Sequence, residues 1–277
     1  MRRYNETMAR LEFVTYRPKT ILNKHKRPDH WFWTSYTAYP YKGCQHRCFF
    51  CYCREERYCP FENLDDFGYV IQVKENAPDL LRRALSRTPV GLVGTGDYQA
   101  AEKKYGLSRK MLEVCLELGF PVFVLERSPL VLRDLDLLQD IQERARAMVA
   151  YSIISTPDSP QYDRVRQMEA MAPPAAKRFA AMREIADAGI LTGTCMMPIL
   201  PDLCDDDANL ENVVRWTAEH GGKFVLAGGL TLSEQQRQFF FRFWPRIFRI
   251  FWTTTRGSIR PRAMARCAAI GGRWRCG

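Results

Sequence analysis

Short apolar runs alternate with amphipathic stretches along most of this chain. Residues 36–41, 69–73, 90–95, 121–125, 148–154, 191–200 and 223–227 are aliphatic, β-branched and aromatic at strand length. Between them, apolar residues recur at helical spacing over 79–86, 107–118, 131–144, 174–188, 208–220 and 233–243. Gly119 and Gly189 stand where two of these helices should stop. Strands alternating with helices of this length imply βαβ units and a parallel sheet. About six units fit between Tyr36 and Phe243, too few to close an eight-stranded barrel. The expectation is an α/β fold with an open, parallel sheet.

Composition and charge refine the limits of that sheet. The chain has 277 residues, 46% of them apolar, enough for one large core. Its net charge of +10 is concentrated at the ends, leaving the centre close to neutral. Residues 1–30 read as a basic N-terminal extension, 31–250 as the α/β body, and 251–277 as a basic Arg/Gly/Ala-rich tail. Basic ends suit either contact with nucleic-acid phosphates or a solvated surface. No apolar run approaches the roughly 20 residues of a membrane span. The aromatic stretch 239–252 is interrupted by Arg242, Pro245, Arg246 and Arg249. With no apolar leader behind Met1-Arg2-Arg3-Tyr4, the expected compartment is the reducing cytoplasm, without membrane association.

The chemistry begins at Cys44, Cys48 and Cys51, spaced Cys-x₃-Cys-x₂-Cys between aromatic Phe50 and Tyr52. So short a loop can bring three thiolates to a metal cluster. Three ligands on a four-iron cube leave one iron open, whereas electron-carrying clusters close all four positions with cysteine. A structural zinc site needs four ligands, usually as two separated pairs. Cys53, Cys59 or His46 could complete a set, but no second pair follows at zinc spacing. The alternative of a zinc- or cluster-stabilised nucleic-acid-binding protein stays open at this point.

The loop resembles that of the radical S-adenosylmethionine (radical SAM) enzymes, which share its spacing and the aromatic residue before the third cysteine. The resemblance implies a partial (β/α)6 barrel and a [4Fe–4S] cluster on Cys44, Cys48 and Cys51. It also implies SAM as cosubstrate, cleaved by the reduced cluster, and a reductant such as flavodoxin or ferredoxin. SAM contacts are then expected where parallel barrels place their sites, at the C-terminal ends of the strands. Gly94, Thr95 and Asp97 follow one strand, with Asp97 set to receive an ammonium. Arg127 and Ser128 follow the next, Arg127 for a carboxylate or as a partner of Glu126. Ser152 follows for a ribose hydroxyl and Met197 for the adenine, with Phe50 beside the cluster.

Further segments narrow the resemblance. Pro40-Tyr41-x-Gly43-Cys44, Asp97-Tyr98-Gln99-x-x-Glu102, Arg127-Ser128-Pro129 with Leu132-Arg133-Asp134, Glu169 through Pro173, and Pro198-Ile-Leu-Pro201 are similar to the spore photoproduct lyase-like subfamily. That subfamily implies radical chemistry on a nucleic-acid base, as in DNA-repair lyases. Two departures stand out. The lyase's downstream hydrogen-donor cysteine has no counterpart in Val93-Gly94-Thr95-Gly96, so Tyr52, Tyr98 or regeneration of SAM would have to return the hydrogen. Arg127 stands where the family often has lysine, keeping the charge but not the geometry. The remaining cysteines are scattered and read mostly as buried thiols, with Cys53 and Cys59 nearest the loop.

Overall fold

The structure, a computed structural model, describes residues 11–233 and 235–243; the tail expected over 251–277 lies outside them. In chain order the strands are β1 (Glu12–Tyr16), β2 (Asn23–Lys24), β3 (Tyr36–Thr37), β4 (Tyr41–Lys42) and β5 (Val70–Lys74). They continue as β6 (Val93–Thr95), β7 (Val122–Glu126), β8 (Ala147–Ser152), β9 (Leu191–Ile199) and β10 (Val225–Gly229). The helices are α1 (Ala77–Leu85), α2 (Ala100–Tyr105), α3 (Leu107–Leu118), α4 (Leu135–Arg144), α5 (Tyr162–Met168), α6 (Ala175–Asp187) and α7 (Asp207–Glu219). A last helical segment occupies 235–243. No helix of the described residues is long and apolar enough to cross a membrane.

The main sheet has the order β10-β9-β8-β7-β6-β3-β2. Its first six members are parallel, and β2 adds an antiparallel margin through Asn23 and Lys24 against Thr37 and Tyr36. The six expected units therefore appear in sequential order as an open (β/α)6 arrangement. Both faces of this sheet are covered, which explains the unbroken apolar runs. On β7, Val122 and Val124 join the helix-facing core of Met111, Leu112, Leu138 and Ile141. Phe123, one step out of phase, packs on the other face with Ala150, Cys195 and Leu226.

Two expectations change at the front of the sheet. Residues 36–41 do not form one strand. They divide at Pro40, which has no N–H for a ladder, into β3 in the main sheet and β4 in a smaller one. That smaller sheet has the order β1-β5-β4, so the strand foreseen over 69–73 lies outside the barrel. Within the basic N-terminal segment, β1 pairs in parallel with β5 from Glu12↔Val70 to Tyr16↔Lys74. Ile71, Val73, Tyr41 and Leu107 form the core beneath this second sheet. The helix expected over 131–144 begins instead as a 3₁₀ turn, Pro129–Asp134, capped by Ser128 Oγ accepting from Leu130 N–H at 3.2 Å.

Candidate active site

Because the six strands run in parallel, their C-terminal ends face one way, and the cysteine loop leaves β4 onto that end. Gly43 starts the turn with φ 82°, and a Cβ there would lie 2.4 Å from the Val70 carbonyl, so only glycine fits. Cys44 N–H then donates to Phe67 O at 2.8 Å. Gln45 and Gln99 clamp the loop to the β6–α2 turn. Gln45 N–H donates to Gln99 Oε1 at 3.2 Å, and Ala100 N–H donates to Gln45 Oε1 at 2.7 Å. Gln99 Nε2 completes the clamp on Gly43 O at 3.1 Å and Asp97 Oδ1 at 2.9 Å.

The other side of the loop is held as closely. Phe49 N–H donates to Met168 O and Met171 N–H to His46 O, each at 3.0 Å. From the last helical segment, Gln236 Nε2 donates to Phe50 O at 2.9 Å and Gln235 Nε2 to Arg54 O at 2.8 Å. Arg54 is buried beneath the loop, its guanidinium carbon 3.7 Å from the Phe239 ring centroid and 4.5 Å from that of Phe67.

Three free thiols are thereby gathered with two guanidinium groups. Burial pushes Cys44 up, reinforced by Asp97, and pushes Cys48 up to about 11 against the pull of Arg127. Cys51 moves down because the Cys53 thiol hydrogen-bonds it and Arg54 lies near. Arg127 is held in its charged form: burial opposes the charge, but Cys48, Glu169, Cys51 and Cys44 outweigh it. Among the described residues no three His, Cys, Asp or Glu side chains converge at the spacing of a single metal ion. Thiolates of one tetrahedral ion lie about 4 Å apart, whereas those of a cube grip separate corners. Thiolate donors beside paired cations suit an anionic iron–sulfur cube, whose charge and potential depend on such neighbours.

The residues expected around a cosubstrate take up distinct positions. Asp97 follows β6 with φ 102°, and its carboxyl is raised well above the usual range by burial and by Glu126. Gly94 is close to the Tyr39 hydroxyl, and Thr95 Oγ1 is buried with no hydrogen-bond partner among the described residues. Arg127 pairs not with Glu126 but with Glu169, NH1 to Oε1 at 2.5 Å, and its guanidinium carbon lies 5.3 Å from the Phe50 ring centroid. Ser128 is used as the cap of the 3₁₀ turn. Ser152 Oγ reaches Met197 O at 3.4 Å, joining the ends of β8 and β9. Tyr52 is exposed and meets Tyr58 edge-on at 5.6 Å. Tyr98 is fully buried, and its hydroxyl donates to Asp134 Oδ2 at 2.9 Å. The two tyrosines are therefore not brought together.

Several residues take roles that appear only in three dimensions. Glu126, at the end of β7, accepts from Asp97 N–H at 2.6 Å and Tyr98 N–H at 3.1 Å and so shapes the β6–α2 turn. Burial pushes its carboxyl up to about 7. Gly96, with φ 115°, leaves room for it, since a Cβ would come within 3.0 Å of Glu126 Oε1. Glu169 binds Arg178 as well as Arg127. The Tyr39 hydroxyl lies 3.5 Å from where a Cβ on Gly94 would stand, on the same cleft. Desolvation there, then Cys53, Glu126 and Asp97, raises it above its ordinary value although the residue as a whole is 37% exposed. An acid at the end of a buried strand was the signal for Glu126; a phenol just beyond the first barrel strand was the signal for Tyr39.

No family model matches the chain. It is similar to uncharacterised proteins of Mycobacterium tuberculosis and Mycobacterium bovis, each 30% identical over 213 residues, covering 74% of this chain and 61% of the relative. The chain thus spans less than two thirds of those relatives' length. An uncharacterised protein of Methanocaldococcus jannaschii is 27% identical over 198 residues, 71% of each chain. Among solved structures, a tyrosine-to-phenylalanine variant of spore photoproduct lyase superposes with a TM-score of 0.60 at 14% identity, covering 90% of this chain and 69% of the lyase. A cysteine-to-alanine variant superposes with a TM-score of 0.61 at 15% identity over the same shares, and the same variant with dinucleoside spore photoproduct at 0.58. The fold is one this chain shares with spore photoproduct lyase.

Proposed function

We propose that this chain is a radical SAM enzyme holding a [4Fe–4S] cluster on Cys44, Cys48 and Cys51, with SAM against the ends of β6 to β9. The observation that carries this reading is a Cys-x₃-Cys-x₂-Cys loop of free thiols, flanked by Arg54 and Arg127, at the C-terminal end of six parallel strands. When bound, the cluster supplies the electron that splits SAM into methionine and a 5′-deoxyadenosyl radical, which takes a hydrogen atom from an unactivated C–H bond.

The protein's part is binding, orientation and charge. Asp97 offers a carboxylate to the SAM ammonium, and a cation there offsets the burial and repulsion that hold its proton on. Arg127 keeps N–H donors beyond the one bound to Glu169, enough for a carboxylate. Gly94 and Gly96 let Tyr39 and Glu126 close in on the β6 end, and the Thr95 hydroxyl, unpartnered among the described residues, is available to a ligand. Ser152 and Met197 flank the ribose and adenine on the next strand ends. Tyr52, exposed beside Cys53, is better placed than Tyr98 to return a hydrogen atom, because the Tyr98 hydroxyl is committed to Asp134. The substrate class of this reading is a nucleic-acid base, supported by the fold shared with a lyase solved with dinucleoside spore photoproduct. A small electron-transfer protein of the flavodoxin or ferredoxin kind is the reductant.

Anaerobic reconstitution with iron and sulfide, then reduction with SAM present, should release 5′-deoxyadenosine. Each of Cys44→Ala, Cys48→Ala and Cys51→Ala should abolish it. If reconstituted wild-type protein carries iron yet releases none, the enzymatic reading is lost.

A further inference from the structure

The open side of the main sheet is crossed by a loop that the proposed chemistry does not use. β2 and β10 are the two margins of that sheet and do not pair with each other. The chain between β2 and β3 reaches over the inner face from one margin to the other. Phe32 stacks on Phe123 of β7, ring centroids 5.3 Å apart at 29°. Trp31 arrives at β10: a Cβ on Gly228 would lie 3.1 Å from its indole and 3.2 Å from Met197 Cγ. The tip of the loop therefore stands beside the strand end expected to meet the adenine.

The loop is firmly built without help from its tryptophans. The Asp29 carboxylate accepts from Trp31 N–H at 3.0 Å, Phe32 N–H at 2.8 Å and Thr34 N–H at 2.8 Å, and also from the Thr34 hydroxyl. Asp29 O accepts from Trp33 N–H at 3.0 Å, and Asp29 N–H donates to Thr34 O at 3.1 Å. Trp33 sits at φ 53°, a left-handed conformation uncommon for a bulky side chain. Phe32 turns inward, while Trp31 and Trp33 remain 51% and 60% exposed as residues. Indoles are the largest apolar side chains, and a rigid loop that holds two of them in solvent is arranged to stack on something.

The charge beside them indicates what. Residues 17–28 carry five Lys/Arg and no Asp/Glu. Lys24 is tied to Thr88 Oγ1 at 2.9 Å. Lys26 and Arg27 are exposed, and no hydrogen bond or ion pair is seen for either among the described residues. Flat aromatic faces and unpaired cations on one loop match the unstacked bases and phosphates of a single strand, whereas a duplex hides its base faces. We infer that Trp31 and Trp33 form a stacking platform for the bases of a single-stranded polynucleotide, whose phosphates are met by Lys26 and Arg27. The inference deepens the nucleic-acid side of the proposed function and rests on that reading for the base delivered to the strand ends. Binding itself needs neither cluster nor SAM.

The test is fluorescence anisotropy of labelled oligo(dT) and oligo(rU), a matched DNA duplex and anionic phosphatidylglycerol vesicles, with the full chain and no iron. Single strands should bind more tightly than the duplex, and the stronger of the two homopolymers identifies the sugar. Trp31→Ala and Trp33→Ala should each weaken binding about 5- to 150-fold, while Trp33→Phe keeps most of it and so excludes misfolding as the cause. Lys26→Ala and Arg27→Ala should each lower the slope of log affinity against log salt by about 0.7. Undiminished binding by the double tryptophan variant, equal affinity for duplex, or capture by vesicles alone would overturn the inference. Protein that releases 5′-deoxyadenosine but ignores oligonucleotides would lose this platform and keep the proposed enzyme. Tryptophan-dependent binding without 5′-deoxyadenosine would do the reverse.

Discussion

Glu169 sets the charge balance of the site. Its carboxylate accepts from Arg127 NH1 at 2.5 Å, from Arg178 NH1 at 2.9 Å and NH2 at 2.5 Å, and from Arg166 NH1 at 3.1 Å. Arg178 is itself fully buried and also donates to Ser152 O at 2.7 Å. Burial alone would push the Glu169 carboxyl up; Arg178 and Arg127 overcome it and hold the carboxyl down to about 2. Removing one partner of such a group leaves uncompensated buried charge, so Glu169→Gln should cost about 3–5 kcal/mol at neutral pH. The pH dependence has a definite sign. A carboxyl depressed by folding stabilises above its unfolded value near 4.3, and the contribution fades as pH falls toward about 2. Urea denaturation of wild type and Glu169→Gln should therefore show a gap at pH 7 that narrows by pH 3. A gap independent of pH would mean that the carboxylate charge is not what stabilises.

At the scale of elements, the cysteine loop has almost no regular structure, and its placement depends on the β6–α2 turn. Gln99 supplies two of the contacts between them, to Gln45 N–H and Gly43 O, and a third to Asp97 within the turn. At about 1 kcal/mol each, their loss in Gln99→Ala should cost about 2–3 kcal/mol. The sheet should persist by circular dichroism while bound iron after reconstitution falls several-fold; unchanged iron loading would show that the loop holds its own shape. The barrel strands that this loop caps were legible because burial on both faces writes unbroken apolar runs, as in β9, expected over 191–200 and found over Leu191–Ile199. The short helix α2 was not, since Ala-Ala-Glu-Lys-Lys-Tyr is too brief and too charged for a periodic signal. Likewise β1 sits in a basic, partly exposed stretch that reads as an extension until β5 pairs with it. The three cysteines were legible from spacing alone, but the Arg127–Glu169 pairing joins residues 42 apart and leaves no trace in sequence.

Across the whole molecule, distant parts of the chain converge on one short loop. The smaller sheet delivers β4 directly into Gly43 and Cys44, and β1 supports it from the other side of β5. The last helical segment covers the loop's far side, where Phe239 stacks on Phe49 at 6.1 Å and lies against the Arg54 guanidinium. The barrel itself needs none of these contacts: its largest core lies between the sheet and α1, α3, α4 and α6. Retention of a cluster and integrity of the barrel are then separable properties, joined in the intact protein because both ends of the described chain close on the loop. Phe239→Ala should pull them apart. Truncating this ring removes a buried aromatic and uncovers Arg54, a loss of about 3–5 kcal/mol by the usual cost of such a cavity. In wild type, iron release and loss of helical signal should coincide on heating. In Phe239→Ala, iron should leave at a distinctly lower temperature than the helices melt. Coincident transitions in the variant would mean that loop and barrel unfold as one cooperative unit.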